Sequence, residues 1–235
     1  MVLRVLSTPR RNDVPRELRS VFERYPCAIE LPDGARVTLR PLVPRDEGKL
    51  VQMFIRTPYE DLRNLQDNVT NPVIIRRWCR SINYDRVLPI VAELDGQIVG
   101  DATLHRRFVE PMRGIDEFRV CVRRFVEPMR GIGKFRAYVR PEYRRRGLGA
   151  VLLKETLDLA RALGLKQLAV ELYENQVELR KMLLRYGFRD EGFLPVYQRL
   201  ILVRDIAVED GEDGELRTPY RVSARCSATS CRGMS

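Results

Sequence analysis

An alternating, β-prone run over residues 135–139 passes through Arg140-Pro141-Glu142-Tyr143 into Arg144-Arg145-Arg146-Gly147-Leu148-Gly149. Residues 150–163 then carry apolar side chains at helical spacing, with no breaker before Gly164. A strand therefore enters a basic, glycine-bearing turn, and a helix leaves it. Such a turn offers unpaired backbone N–H groups and the positive end of a helix dipole to an anion. Its glycines carry no Cβ, so the backbone can approach a ligand closely. The expected ligand bears phosphate.

Spacing separates the phosphate motifs that compete for this turn. A nucleotide P-loop needs Lys-Ser or Lys-Thr after its second glycine, where this chain has Ala150-Val151. A dinucleotide fingerprint needs a third glycine or alanine where Leu152 stands. The form that fits is Arg/Gln-x-x-Gly-x-Gly/Ala, read as Arg144, Gly147 and Gly149, with Val139-Arg140-Pro141-Glu142-Tyr143 as lead-in. Downstream, residues 167–172 read as a short half-buried strand. Asn175 and Glu178 then stand at capping-box spacing, and Leu179, Met182, Leu183 and Tyr186 mark a buried helical stripe that Gly187 ends. Tyr186-Gly187-Phe188 and Glu191-Gly192-Phe193 follow, and residues 198–208 supply last strands. In order and spacing these features resemble the GCN5-related N-acetyltransferases over about residues 28–209, most strongly over 134–194.

That resemblance implies an α+β fold, a mostly antiparallel, splayed central sheet flanked by helices. It implies acetyl-coenzyme A as co-substrate, with its pyrophosphate on Arg144, Arg145, Arg146, Gly147, Leu148, Gly149 and Ala150. The pantetheine arm would lie beside residues 135–139 where they splay from 167–173, with contacts from Tyr138, Val139 and Asn175. A backbone N–H near Tyr138 or Val139 would polarise the thioester, and a primary amine of a small molecule or protein would attack directly. The acceptor side is less legible. Where many relatives place a tyrosine acid, four residues before the glycine of Gly-Phe, this chain has Leu183. Glu171, Glu174 and Tyr138 are the candidate proton-transfer groups. The missing tyrosine keeps open a second reading, a non-catalytic acyl-coenzyme A-binding regulatory module.

Composition is compatible with this. No apolar run among the 235 residues approaches the ~20 needed to span a bilayer. The first twenty residues mix arginines with Asp13 and Glu17 and lack an apolar signal core, so a cytoplasmic setting without membrane contact is expected. The net charge of +10 comes almost wholly from arginines, spread along the chain except around 106–146, where the phosphate-binding turn accounts for part of the excess. That dispersion speaks against a nucleic-acid partner and suits steering of an anionic co-substrate. Five cysteines without a Cys-x-x-Cys pair predict neither a disulfide framework nor a zinc site. His105 is the single histidine, so no metal is expected. A homodimer is compatible with all of this.

The expected organisation is an arm over 1–27, the acetyltransferase domain over 28–209 and a poorly ordered tail over 210–235. Residues 35–40 read as a first strand after the Pro32-Asp33-Gly34 turn. Residues 45–80 read as helical with breaks near Pro58 and Pro72, and Asp95-Gly96 marks a type I′ hairpin between 87–94 and 97–105. Residues 106–115 recur identically as 123–132, and the likeness continues from 116–122 into 133–139. Inserting one strand into an antiparallel meander would reverse every later strand. The second copy, which alone leads into the glycine turn, is therefore expected as the core strand, and 106–122 as a tandem-duplicated excursion.

Overall fold

The computed structural model describes residues 9, 14–106, 131–194, 197–206 and 221–222. Within these a single sheet has the strand order β7-β8-β6-β5-β4-β3-β2-β1-β9. Its strands are β1 (Cys27–Glu30), β2 (Arg36–Pro41), β3 (Val87–Leu94), β4 (Gln97–His105), β5 (Ile132–Val139), β6 (Gln167–Tyr173), β7 (Arg189–Leu194), β8 (Arg199–Asp205) and β9 (Arg221–Val222). Every neighbouring pair is antiparallel except β5–β6. The β3–β4 hairpin falls where Asp95-Gly96 places it, and both turn residues have positive φ, 48° and 77°, as a type I′ turn requires.

Helices cover both faces, which is why strand positions alternate between two apolar clusters rather than between core and water. Helix α1 (Arg19–Glu23) belongs to the N-terminal segment, whose Val14, Leu18, Phe22 and Tyr25 are buried with β1–β4. Helices α2 (Glu47–Ile55), α3 (Tyr59–Leu62) and α4 (Pro72–Arg80) follow β2; α4 starts at a proline and is capped by the Asn71 side chain. Helix α5 (Leu148–Ala162) follows β5, and α6 (Val177–Arg185) follows β6. On one face Leu148, Val151 and Leu152 of α5 share a cluster with Ala102, Leu104 and Phe135. On the other, Leu50, Met53 and Phe54 of α2 and Ile75 and Cys79 of α4 pack with Val91 and Tyr138. Arg24 and the Tyr25 hydroxyl both donate to the Glu155 carboxylate, tying the N-terminal segment to α5.

Three expectations need amendment. A strand absent from the sequence reading, β1, precedes the first expected one and pairs with it. Residues Arg221–Val222, within the expected tail, add a two-residue strand at the β1 edge. Cys27 is disulfide-bonded, whereas Cys79 is a buried free thiol that burial pushes up to about 12. An odd cysteine count guarantees one thiol left over, but it does not exclude a pair. The duplicated stretch 107–130 also lies outside the described residues. The strand that leads from it, β5, runs antiparallel to β4.

Candidate active site

The basic turn is organised by its own side chains. After β5 a short 3-10 turn, Pro141–Tyr143, redirects the chain toward α5. Arg144 donates from Nε to the Val139 carbonyl at 2.8 Å and from both Nη atoms to Asp61 at 3.0 and 2.6 Å. Arg146 donates to Asp33, in the turn between β1 and β2, and lies over the Tyr143 ring. Sequence reasoning grouped the three arginines as ligand contacts. In the described residues Arg144 and Arg146 brace the loop through carboxylates, and Arg145 is the one of the three that is exposed without an ion pair. Arg145 and Gly147 both take positive φ, 57° and 89°, so the backbone curls. Gly147 is the N-cap of the fifteen-residue α5. Among the described residues, no amide from 145 to 150 has a backbone acceptor. A row of N–H groups on a helix N-terminus is an anion nest.

Beside this nest the sheet opens. Strands β5 and β6 pair only from Ile132↔Gln167 to Phe135↔Val170. Beyond that point β5 follows β4 as far as Val139, while β6 follows β8 as far as Tyr173. Arg140 N–H donates to the Val99 carbonyl at 3.0 Å, so the main chain at Arg140 faces β4. Strand alternation then turns Tyr138 toward β4 and the amides of Ala137 and Val139 toward the gap.

The gap is wedged by buried charges. The Glu171 carboxylate accepts from Lys134 at 2.5 Å, Arg199 at 2.9 Å and Gln66 at 3.0 Å, with its side chain only 2% exposed. Burial would raise its pKa, but Lys134 and Arg199 outweigh burial and hold it below the usual carboxylate range. A carboxylate so neutralised is a poor proton acceptor. Glu174 and Asn175 are exposed. The N-cap of α6 is Gln176, one residue after the expected Asn175, and its side-chain oxygen accepts from the Tyr173 N–H at 2.8 Å.

A cavity of about 460 Å³ runs from the splay across the α2/α4 face of β3–β5. Its walls include Leu50, Phe54, Trp78 and Val91, and polar groups reach it from Asp101, His105, Tyr138 and Glu171. Leu183, where a tyrosine acid would stand, is fully buried in the core, and Tyr186 caps the end of α6. Tyr138 packs its ring on Phe54, and its hydroxyl and that of Thr57 are both buried without a partner of normal geometry. Burial raises the Tyr138 phenol, with the Thr57 hydroxyl opposing. His105 is drawn down to about 4, by burial first and then by Arg136 and Lys134.

Asp101 was missed by sequence reasoning. It pairs in register with Tyr138 on one side and Val91 on the other. Its Oδ1 is shut off from solvent with no hydrogen-bond partner among the described residues, and burial alone pushes its carboxyl up to about 7. The legible signal was an acid at an inward strand position, between apolar neighbours. Because the folded pKa lies above the unfolded value, the native state holds the extra proton between about pH 4 and pH 7. This site's contribution to stability therefore falls as pH rises through that window and is level above it. His105, whose pKa is depressed, contributes with the opposite slope between about pH 4 and 6.5. Asp101→Asn removes only the first effect. Urea unfolding should show the variant gaining on the parent from pH 4 to 7, by about 2–4 kcal/mol at pH 8. A pH-independent difference would contradict the burial of this carboxylate.

The acetyltransferase (GNAT) family profile matches residues 54–188, more than half of the chain, and the protein belongs to that family. No curated protein matches significantly. Among solved structures, the fold is similar to the GNAT domain of S. lividans PAT, with TM-score 0.62, 16% identity, and 76% of this chain and 95% of that one covered. It is likewise similar to Mycobacterium smegmatis RimJ in complex with CoA-disulfide, with TM-score 0.57, 20% identity, and coverage of 77% and 88%. For AAC(6')-Ib in complex with Parmomycin and AcetylCoA the TM-score is 0.59 at 14% identity, with coverage of 76% and 99%. Among the described residues no helix is long and apolar enough to cross a membrane, and no group of three His, Cys, Asp or Glu is placed to hold a metal.

Proposed function

We propose that the protein transfers an acetyl group from acetyl-coenzyme A to a primary amine. The observation that carries this is the amide row of residues 145–150, on the N-terminus of α5, set directly beside a splay that opens into a partly apolar cavity. The residues suit the co-substrate: amides and Arg145 for a pyrophosphate, the β5–β6 gap for an extended arm, and Val139 or Ala137 N–H for the thioester oxygen. Tyr138 serves through its hydroxyl rather than its amide, since its main chain faces β4. Acetyl-coenzyme A supplies the activated acyl group when bound. A phenol held protonated by burial is suited to deliver a proton to a leaving thiolate. Glu171 is better suited to hold the splay open than to accept a proton, and exposed Glu174 lies outside the cavity wall.

Thiol release from acetyl-coenzyme A, measured against a panel of small and peptide amines, tests this function. Turnover with at least one amine is the expected result. Binding of acetyl-coenzyme A by calorimetry without turnover on any amine would instead favour the non-catalytic acyl-coenzyme A-binding module.

A further inference from the structure

The cavity contains a group that the donor side does not use. Asp101 lines it from the sheet side, beside Val91 of β3, and Leu50 and Phe54 of α2 and Trp78 of α4 line it as well. No hydrogen bond or ion pair within the described residues satisfies its Oδ1. Desolvating a carboxylate without a cation is costly, and the charged groups facing the cavity do not relieve that cost. Arg136 on β5 is taken by Asp67 and Gln66. Glu171 on β6 is taken by Lys134 and Arg199. His105 on β4 and Arg77 on α4 line the same space without pairing to Asp101. Tyr138, its neighbour across the β4–β5 ladder, also carries a buried hydroxyl without a hydrogen-bond partner among the described residues.

We infer that Asp101 is the ammonium-binding and proton-accepting residue of the acceptor site, and that the acceptor is a small primary amine with an apolar body. This rests on the acetyl-transfer reading and specifies its substrate class. The ammonium supplies the cation that Asp101 lacks, and the apolar body covers walls that a charged peptide would have to desolvate against. Asp101 takes one proton from the ammonium. The freed nitrogen lone pair then forms the C–N bond to the acetyl carbon as the C–S electron pair leaves on sulfur. The surplus proton on nitrogen passes to sulfur by way of the Tyr138 hydroxyl, which gives one proton and regains another. The second proton remains on Asp101 until it is released to water.

The test uses the full chain with coenzyme A present, and 2-phenylethylamine and 2-phenylethanol as probes in calorimetry. Phenylethylamine should bind the parent, and Asp101→Asn should weaken that binding at least tenfold while phenylethanol binding stays unchanged. With acetyl-coenzyme A, kcat/KM for phenylethylamine should fall about 100-fold or more, and the acidic limb of its pH profile should vanish. A second measurement needs no variant: at pH 6, phenylethylamine binding should release protons, read from buffers of different ionisation enthalpy, and phenylethanol none. Equal amine binding by Asp101→Asn, or no proton release, overturns the inference even if acetyl transfer is found. Asp101-dependent amine binding without acetyl transfer sustains the ammonium site and removes the acetyl-transfer reading. Turnover of lysine peptides with no binding of phenylethylamine overturns the acceptor class.

Discussion

Gly147→Asp should reduce acetyl-coenzyme A affinity by about 100-fold or more, roughly 3 kcal/mol, with the fold retained. Gly147 has φ of 89° at the N-cap of α5. A residue with a Cβ is strained there by about 1–2 kcal/mol, and the curl that gathers the amides of 145–150 depends on that conformation. The substitution also places a carboxylate where a pyrophosphate would lie, so like charges meet inside the nest. Aspartate is itself compatible with a helix N-cap, so α5 should persist, and circular dichroism can verify it. Gly149→Ala separates fold from site: a Cβ at Gly149 meets no protein atom within 4 Å, so the fold should be unperturbed, and any loss of affinity then reports on the close approach of the pyrophosphate to this backbone. Unchanged calorimetric affinity in a folded Gly147→Asp variant would remove the pyrophosphate site from this turn.

The second large effect concerns β5 and the duplication. The first copy carries Asp116 and Glu117 where the second carries Gly133 and Lys134. A Cβ on Gly133 would lie 2.8 Å from Leu165 Cδ1, 3.0 Å from Leu104 Cδ1 and 3.2 Å from the His105 carbonyl oxygen. The carbonyl is backbone and cannot swing aside, and an aspartate would add a buried carboxylate to the clash. Lys134 is 5% exposed and bonded to Glu171, so glutamate there would set two carboxylates together. Gly133→Asp should destabilise the protein by about 3–5 kcal/mol, and Lys134→Glu by a similar amount, each a large share of a domain's usual margin. An unfolding midpoint in urea equal to the parent's would refute this. The same two positions explain why the segment leading into the glycine turn, and not its near-copy, is the one β5 can accept. By that reasoning, deletion of residues 106–122 should preserve the fold.

Much of the donor side was legible because it is local. Positive φ at Gly147, the proline after Arg140, the apolar stripe of α5 and the Asp95-Gly96 hairpin are each decided by a residue and its immediate neighbours. The proton-transfer side was not legible, because its groups converge from separate elements. Glu171 read as a free acid until Lys134 and Arg199 arrived from adjacent strands and Gln66 from the segment before α4. That Asp61 and Asp33 stand opposite Arg144 and Arg146 was likewise not legible, since both acids come from distant parts of the chain. Asp101 carries no motif at all; only the covering of that strand face by α2 and α4 isolates its oxygen.

The sequence by itself therefore determined the family, the strand–turn–helix unit that offers an anion its amides, and the chain's course through the hairpin. These depend on backbone conformation and period, which neighbouring residues dictate. Tertiary structure alone decided which charges are spent in pairs and that, among the described residues, the Oδ1 of Asp101 beside the cavity has no partner. A side chain's ionisation depends on what is packed around it, and in this sheet the surrounding groups come from distant parts of the chain.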